Sequence, residues 1–213
     1  MNDERLKELA GIIEAGDDEA AREKVRGVVA AGLSPHDILN GGLIAGMNTV
    51  GDLFKAHEIF LPDVLLAARA MQAGLDELRP LLVRDGIPSR GKVVLGTVQG
   101  DLHDIGKNLV AILLRGAGFE VVDLGNNVPP SAFVDAAEKE NAGVIGMSAL
   151  LTTTMPVMRQ VMDELRARGL EGRVRTVVGG APVSEAWARE IGADGYGCDG
   201  AAAVDRVRAL LSV

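Results

Sequence analysis

From Asp3 to about Arg84 the apolar positions recur at helical spacing, as in Leu6, Leu9, Ile12 and Ile13 and again in Val64, Leu65, Ala68, Met71, Leu75, Leu78 and Leu82. Breaks fall at Gly16-Asp17-Asp18, at Gly32-Leu33-Ser34-Pro35 and near Glu58-Ile59-Phe60-Leu61-Pro62, with Ser34 reading as an N-cap and Pro35 as the first helical residue. Four helices follow, enough for a small bundle. Beyond Arg84 the rhythm changes. Short runs rich in β-branched residues, at 92–98, 120–124, 144–147, 174–178 and more weakly 194–196, alternate with helical segments. Such alternation predicts right-handed βαβ units and a parallel sheet covered on both faces. Turn composition places a linker at 85–91, between a helical domain at 1–84 and an α/β domain at 92–213. The fold class is therefore α plus α/β: a four-helix bundle followed by a flavodoxin- or Rossmann-like five-stranded parallel sheet.

Composition narrows the function. With 47% hydrophobic residues over 213, the chain has ample material for packed cores. A net charge of -8 without a dense run of Lys and Arg gives no footprint for nucleic acid or anionic lipid. The single cysteine, Cys198, excludes an internal disulfide, and the charged start Met1-Asn2-Asp3-Glu4-Arg5 is unlike a secretory signal, so a cytoplasmic location is expected. No apolar run approaches the roughly 20 residues that span a bilayer.

In an open parallel sheet, ligands sit beyond the carboxyl ends of the strands, where the strand order reverses. Three unusual loops fall there: Gln99-Gly100-Asp101-Leu102-His103-Asp104-Ile105-Gly106 after the first strand, Ser148-Ala149-Leu150-Leu151-Thr152-Thr153-Thr154 after the third, and Gly179-Gly180-Ala181 after the fourth. In the order 2-1-3-4-5 they line one groove. Asp101 and His103, two apart, can project to the same side of an extended loop, where a carboxylate fixes the imidazole tautomer and makes the other ring nitrogen a better metal ligand. The plainer alternative is that Asp101 or Asp104 caps the next helix and His103 is a solvated loop residue; the hydroxyls of Ser148, Thr152 and Thr154 can equally be caps. With only His36, His57, His103 and Cys198 to draw on, a protein-built zinc site is disfavoured. A metal whose equatorial ligands come from a macrocycle needs only an axial donor, and both cobalt in a corrin and haem meet that requirement. Dinucleotide and triphosphate glycine signatures are absent, as is the second carboxylate of a phosphoryl-accepting receiver.

Asp101-x-His103-x-x-Gly106, followed by Ser148-x-Leu150 and then Gly179-Gly180, resembles the signature of base-off, His-on cobalamin-binding domains. The resemblance implies that His103 replaces the cofactor's own nucleotide base on the lower face of the cobalt. It implies a slot for the displaced tail lined by Ser148, Leu150, Thr152, Gly179 and Gly180, with Tyr196 to Asp199 near its base. It further implies a relay from His103 through Asp101 to a hydroxyl, here Thr154, where the family often has serine. Residues 1–84, with Glu58-Ile59-Phe60-Leu61-Pro62-Asp63 and Ala67-Ala68-Arg69-Ala70-Met71, are similar to the bundle that caps the upper cobalt face in methionine synthase and in corrinoid proteins of one-carbon methyltransferase systems. By that likeness Phe60 shields the upper ligand; Val64, Ala67 and Met71 are either its neighbours or simply bundle core.

The function so implied is a methyl carrier without activity of its own, cycling between Co(I) and methyl-Co(III). It would take the methyl group from a substrate-specific methyltransferase and give it to an acceptor methyltransferase using tetrahydrofolate or a thiol, with a reductive activase as a further partner. A coenzyme-B12 mutase subunit shares the binding half but normally lacks the bundle, and a cobalamin-sensing regulator needs a DNA-binding domain ahead of it. A plain flavodoxin-like interaction module leaves the three loops unexplained.

Overall fold

A computed structural model describes residues 2–85 and 89–212. They divide into two compact units, one helical and one α/β, the latter beginning at Ser89. The expected linker at 85–91 lies partly, at 86–88, outside the described residues.

The helical unit comprises α1 (Asn2–Ala15), α2 (Asp18–Ala30), α3 (Pro35–Asp37), α4 (Ala45–Lys55) and α5 (Leu61–Arg84), with a π-helical stretch, Ile38–Ile44, joining α3 to α4. Because α3, the π stretch and α4 run on without a break, they act as one rod, and four rods result. The starts follow from capping chemistry. The Asp17 side chain accepts from the Ala20 amide, and Ser34 accepts from the Asp37 amide with Pro35 in the first turn. Leu9, Ile13, Val25, Ile38, Leu43 and Leu78 are fully buried at the centre. α4 crosses α1 with almost no gap: a β-carbon at Gly46 would lie 2.6 Å from the Ala10 carbonyl oxygen and 2.8 Å from Ile13 Cβ.

The α/β unit alternates β1 (Lys92–Thr97), α6 (Ile105–Gly116), β2 (Glu120–Asp123), α7 (Pro130–Glu140), β3 (Val144–Ser148), α8 (Pro156–Ala167), β4 (Arg175–Gly179), α9 (Glu185–Ile191), β5 (Gly195–Gly197) and α10 (Gly200–Leu211). All pairings are parallel, as expected from the alternation, and the order is β2-β1-β3-β4-β5, the flavodoxin-like one that sets the three loops on one edge. Register corrects the predicted strand ends. Thr97 pairs with Ser148, Ser148 with Gly179 and Gly179 with Gly197. β3 therefore extends to Ser148, while β4 and β5 sit one residue later than the β-branched runs suggest. The ladder, not the side-chain type, decides where a strand stops.

This row of partners sets the carboxyl edge of the sheet, with the order reversing between β1 and β3. Strand interiors are nearly continuous apolar runs because helices cover both faces. Phe133 of α7 is fully buried against β1, and a β-carbon at Gly96 would come within 2.8 and 2.9 Å of its ring. Replacing Phe133 with Ala should cost about 3–5 kcal/mol, measured as a shift in the denaturant unfolding of the α/β unit. A loss below about 1 kcal/mol would mean that the ring is not the core element its burial indicates.

Candidate functional site

Seven residues, 98–104, separate β1 from α6, and the side chain of Asp101 organises them. It is completely buried. One carboxylate oxygen, Oδ1, accepts from the His103 backbone amide at 3.1 Å and lies 2.7 Å from His103 Nδ1. The other, Oδ2, accepts from the amides of Leu150 and Leu151 at 2.7 and 3.2 Å and from the Thr154 hydroxyl at 2.9 Å. The Thr154 hydroxyl also lies 2.9 Å from the Leu151 carbonyl, and with one proton it donates to one acceptor at a time. The loop after β3 thus folds back over β1 to place two main-chain donors and a hydroxyl on a charge that has left water.

Burial alone pushes the Asp101 carboxyl up. The Leu150 amide, the His103 ring and amide and the Thr154 hydroxyl together outweigh it, and hold the group well below the usual carboxylate range. An ionised carboxylate can only accept, so Nδ1 must carry the ring proton. In the neutral imidazole the lone pair then sits on Nε2, which has no hydrogen bond among the described residues. The His103 side chain is 53% exposed although its partner is not exposed at all. Around it the same two loops present Leu102, Ile105, Leu150 and Leu151, which are 69%, 76%, 42% and 41% exposed. An outward lone pair in an apolar surround is a half-built metal site. Among the described residues no group of three or more His, Cys, Asp and Glu could hold a metal ion.

The remaining residues predicted from sequence spread more widely. Gln99 and Gly100 are exposed in the turn after β1, Gly100 at φ +84°. Asp104 caps with its backbone, its carbonyl accepting from the Asn108 amide at 2.7 Å, and Gly106 is exposed in the first turn of α6. Ser148 is half-buried at the end of β3, and Thr152 is exposed. Gly179 and Gly180 lie against the β3 loop: the Gly179 carbonyl accepts from the Ala149 amide at 3.1 Å. Gly180, at φ +120°, has no room for a β-carbon, which would collide with the Ala149 carbonyl. Ala181 is exposed beside them. Tyr196 is half-buried, packed against the hydrophobic core around the sheet. Phe60, 66% exposed, belongs to the helical unit, where its amide donates to Asp63 Oδ2 at 2.8 Å at the start of α5.

Several contributors escaped the sequence reading. Fully buried Thr97 donates its hydroxyl to the His103 carbonyl at 3.0 Å. The Asn127 side chain accepts from the Gly100 amide at 2.8 Å, and its own amide donates to the Asp101 carbonyl at 3.0 Å. The available signal was the Asn126-Asn127 doublet directly after β2, next to β1 in the expected strand order.

A doubly wound parallel sheet that presents one tautomer-fixed histidine at its switch point suits a protein that supplies a single donor to a macrocycle-borne metal. The comparisons with known proteins agree. The B12 binding domain family matches residues 91–205, and a second B12 binding domain family matches residues 5–79. Dimethylamine corrinoid protein 1 of Methanosarcina acetivorans is 46% identical over 214 residues, covering 99% of each chain. The methanol:cobalamin methyltransferase complex of Methanosarcina barkeri matches with a TM-score of 0.87 and 32% identity over 98% of this chain and 80% of that one. A cobalamin-binding protein of Desulfitobacterium hafniense matches at 0.81 with 34% identity, over 96% and 98%. The chain belongs to the family of B12-binding corrinoid proteins, whose cofactor is cobalamin. The resemblance to corrinoid proteins of methyltransferase systems is borne out. Among the described residues no helix is long and apolar enough to cross a membrane.

The residues present fit that cofactor. A metal held by a macrocycle would need only a single nitrogen donor from the protein, and His103 offers one nitrogen with its partner nitrogen pinned. The exposed leucines and isoleucine supply aliphatic surface in a chain that is only 3% aromatic. The support can be tested without the cofactor. Thr154→Val should destabilise the protein by about 1.5–3 kcal/mol, the scale of a hydrogen bond to a charged group, while Thr154→Ser retains most of it. Denaturant unfolding of the two variants measures this, and equal stability for both would show that the hydroxyl does not support the Asp101 carboxylate.

Proposed function

We propose that this protein is a methyl carrier that binds cobalamin with its nucleotide base displaced and His103 Nε2 in the lower axial position. The observation that carries the reading is the pairing of a fully buried, ionised Asp101 with Nδ1 of a half-exposed His103 at 2.7 Å. Asp101 Oδ1 holds the proton at Nδ1, keeps the ring in one orientation and raises the basicity of Nε2. Leu150 N, Leu151 N and the Thr154 hydroxyl keep the carboxylate ionised, so the imidazole does not share its proton elsewhere. Ser148, Leu150, Thr152, Gly179, Gly180 and Ala181 border the slot for the displaced tail, with Tyr196 near its base. Bound there, cobalamin supplies a cobalt that accepts a methyl group from one partner and yields it to another.

The partners are two methyltransferases. One is specific for a small methylated donor; the other passes the methyl group to tetrahydrofolate or a thiol, and a reductive activase restores carriers that have been oxidised. The relationship to dimethylamine corrinoid protein 1 and the likeness to the methanol:cobalamin methyltransferase complex support such a place. The site of action is the cytoplasm.

Mixing the purified protein with hydroxocobalamin, removing free ligand and recording the visible spectrum tests the reading. The wild type should retain corrinoid with the nucleotide base off and a protein nitrogen on. His103→Ala should retain less, with the spectrum of a corrinoid that has lost that nitrogen. Failure of the wild type to retain corrinoid would refute the carrier, and an unchanged spectrum in the variant would refute ligation by His103.

A further inference from the structure

We infer that the loop after β2, residues 124–128, is a brace that fixes the histidine loop, and that Asn127 is a positioning residue for His103. This rests on the reading of His103 as the axial ligand. Residues 99–104 lie outside the β ladder, so those of their backbone polar groups that are withdrawn from water need partners other than a neighbouring strand. The Gly100 amide finds Asn127 Oδ1 at 2.8 Å, and the Asp101 carbonyl finds the Asn127 amide at 3.0 Å. The Leu102 carbonyl accepts from Asn126 Nδ2 at a long 3.5 Å. Only the Asp101 amide, bonded to Val98 at 3.1 Å, and the His103 groups, bonded to Asp101 and Thr97, are satisfied from β1 and the loop itself. Asn127 thus holds the main chain on both sides of the Gly100–Asp101 peptide.

Its backbone explains the residue type. Asn127 sits at φ +53°, in the left-handed region that Asn enters more readily than most residues. That conformation lets one residue offer amide and side chain to the same neighbouring strand connection.

The brace is itself anchored. Asp123, where β2 ends, accepts from the Gly125 amide at 2.9 Å and pairs with Lys107 Nζ at 2.7 Å through both oxygens. Lys107 is 2% exposed and also reaches Asn108 Oδ1 at 2.6 Å. A buried ammonium of this kind is stable only while its partner is present, so the first turn of α6, which opens two residues after His103, is tied to the same loop. The Gly125 carbonyl in turn accepts from the Thr97 amide at 2.9 Å, and Thr97 holds the His103 carbonyl. His103 is therefore supported from two sides for two purposes. The loop after β3 fixes its proton through Asp101, and the loop after β2 fixes where the ring stands.

Two substitutions separate side chain from backbone. Asn127→Gly tolerates φ +53° but removes the acceptor; Asn127→Asp retains an acceptor. With the full chain and hydroxocobalamin, Asn127→Gly should lose about tenfold in corrinoid affinity, the lower end for groups that orient a metal ligand. Its bound spectrum should move toward that of His103→Ala, while its denaturant midpoint stays near wild type. Asn127→Asp should keep both affinity and spectrum. Wild-type affinity and spectrum in Asn127→Gly, alongside an altered His103→Ala, overturn the brace alone. Equal losses in both Asn127 variants also overturn it, and an unchanged His103→Ala spectrum overturns the ligation reading together with it.

Discussion

A carboxylate with no access to water must be surrounded by donors or it will take up a proton, and Asp101 meets that demand with donors from two different loops. Its oxygens divide the work: Oδ2 faces the loop after β3, and Oδ1 faces the histidine. The geometry of the rest of the site follows. For Leu150 and Leu151 to aim their amides at Oδ2, the chain must turn sharply after Ser148. That turn brings Ala149 against Gly179 and Gly180, where a side chain on Gly180 would collide. The glycine pair is therefore needed for the carboxylate's shell as much as for any ligand. Taking away the negative charge would leave the donors unpaired and free the histidine tautomer at once.

The sheet supplies the accuracy. Thr97, Ser148, Gly179 and Gly197 form one register row, so the loops after β1, β3 and β4 leave the same edge at the same height. The helical unit and the α/β unit are each matched by a B12 binding domain family. On the proposed reading, the task of the α/β unit is to hold one ligand nitrogen in one state of protonation and one position.

Much of this was legible in the sequence because it is written in residue types that are costly where they stand. Helical and strand periods gave the architecture, while the strand order was assumed from the flavodoxin-like class. Asp101, His103 and Gly106, with Ser148 and Gly179-Gly180, marked the edge because charged, imidazole and glycine residues cluster there without another reason. The residue types alone left cap or relay open for the hydroxyls; the resemblance singled out Thr154, and among Ser148, Thr152 and Thr154 it is Thr154 whose hydroxyl donates to Asp101. The amides of Leu150 and Leu151 were invisible, since residue identity does not encode where a main-chain donor points. Thr97, Asn127 and the Lys107–Asp123 pair were missed because they act on the backbone of other residues. Strand ends were misplaced by a residue where the ladder continued past the β-branched run.

The central claim is that a nitrogen of His103, and not the cofactor's own base, lies on the lower face of the cobalt. Electron paramagnetic resonance of the loaded protein, with the cobalt in its paramagnetic divalent state, reads that nitrogen directly through its nuclear spin. Protein grown with histidine carrying the heavier stable nitrogen isotope should convert the triplet splitting of the cobalt lines to a doublet. A triplet that persists in the labelled protein would show that the ligating nitrogen is not from histidine, and would contradict the account.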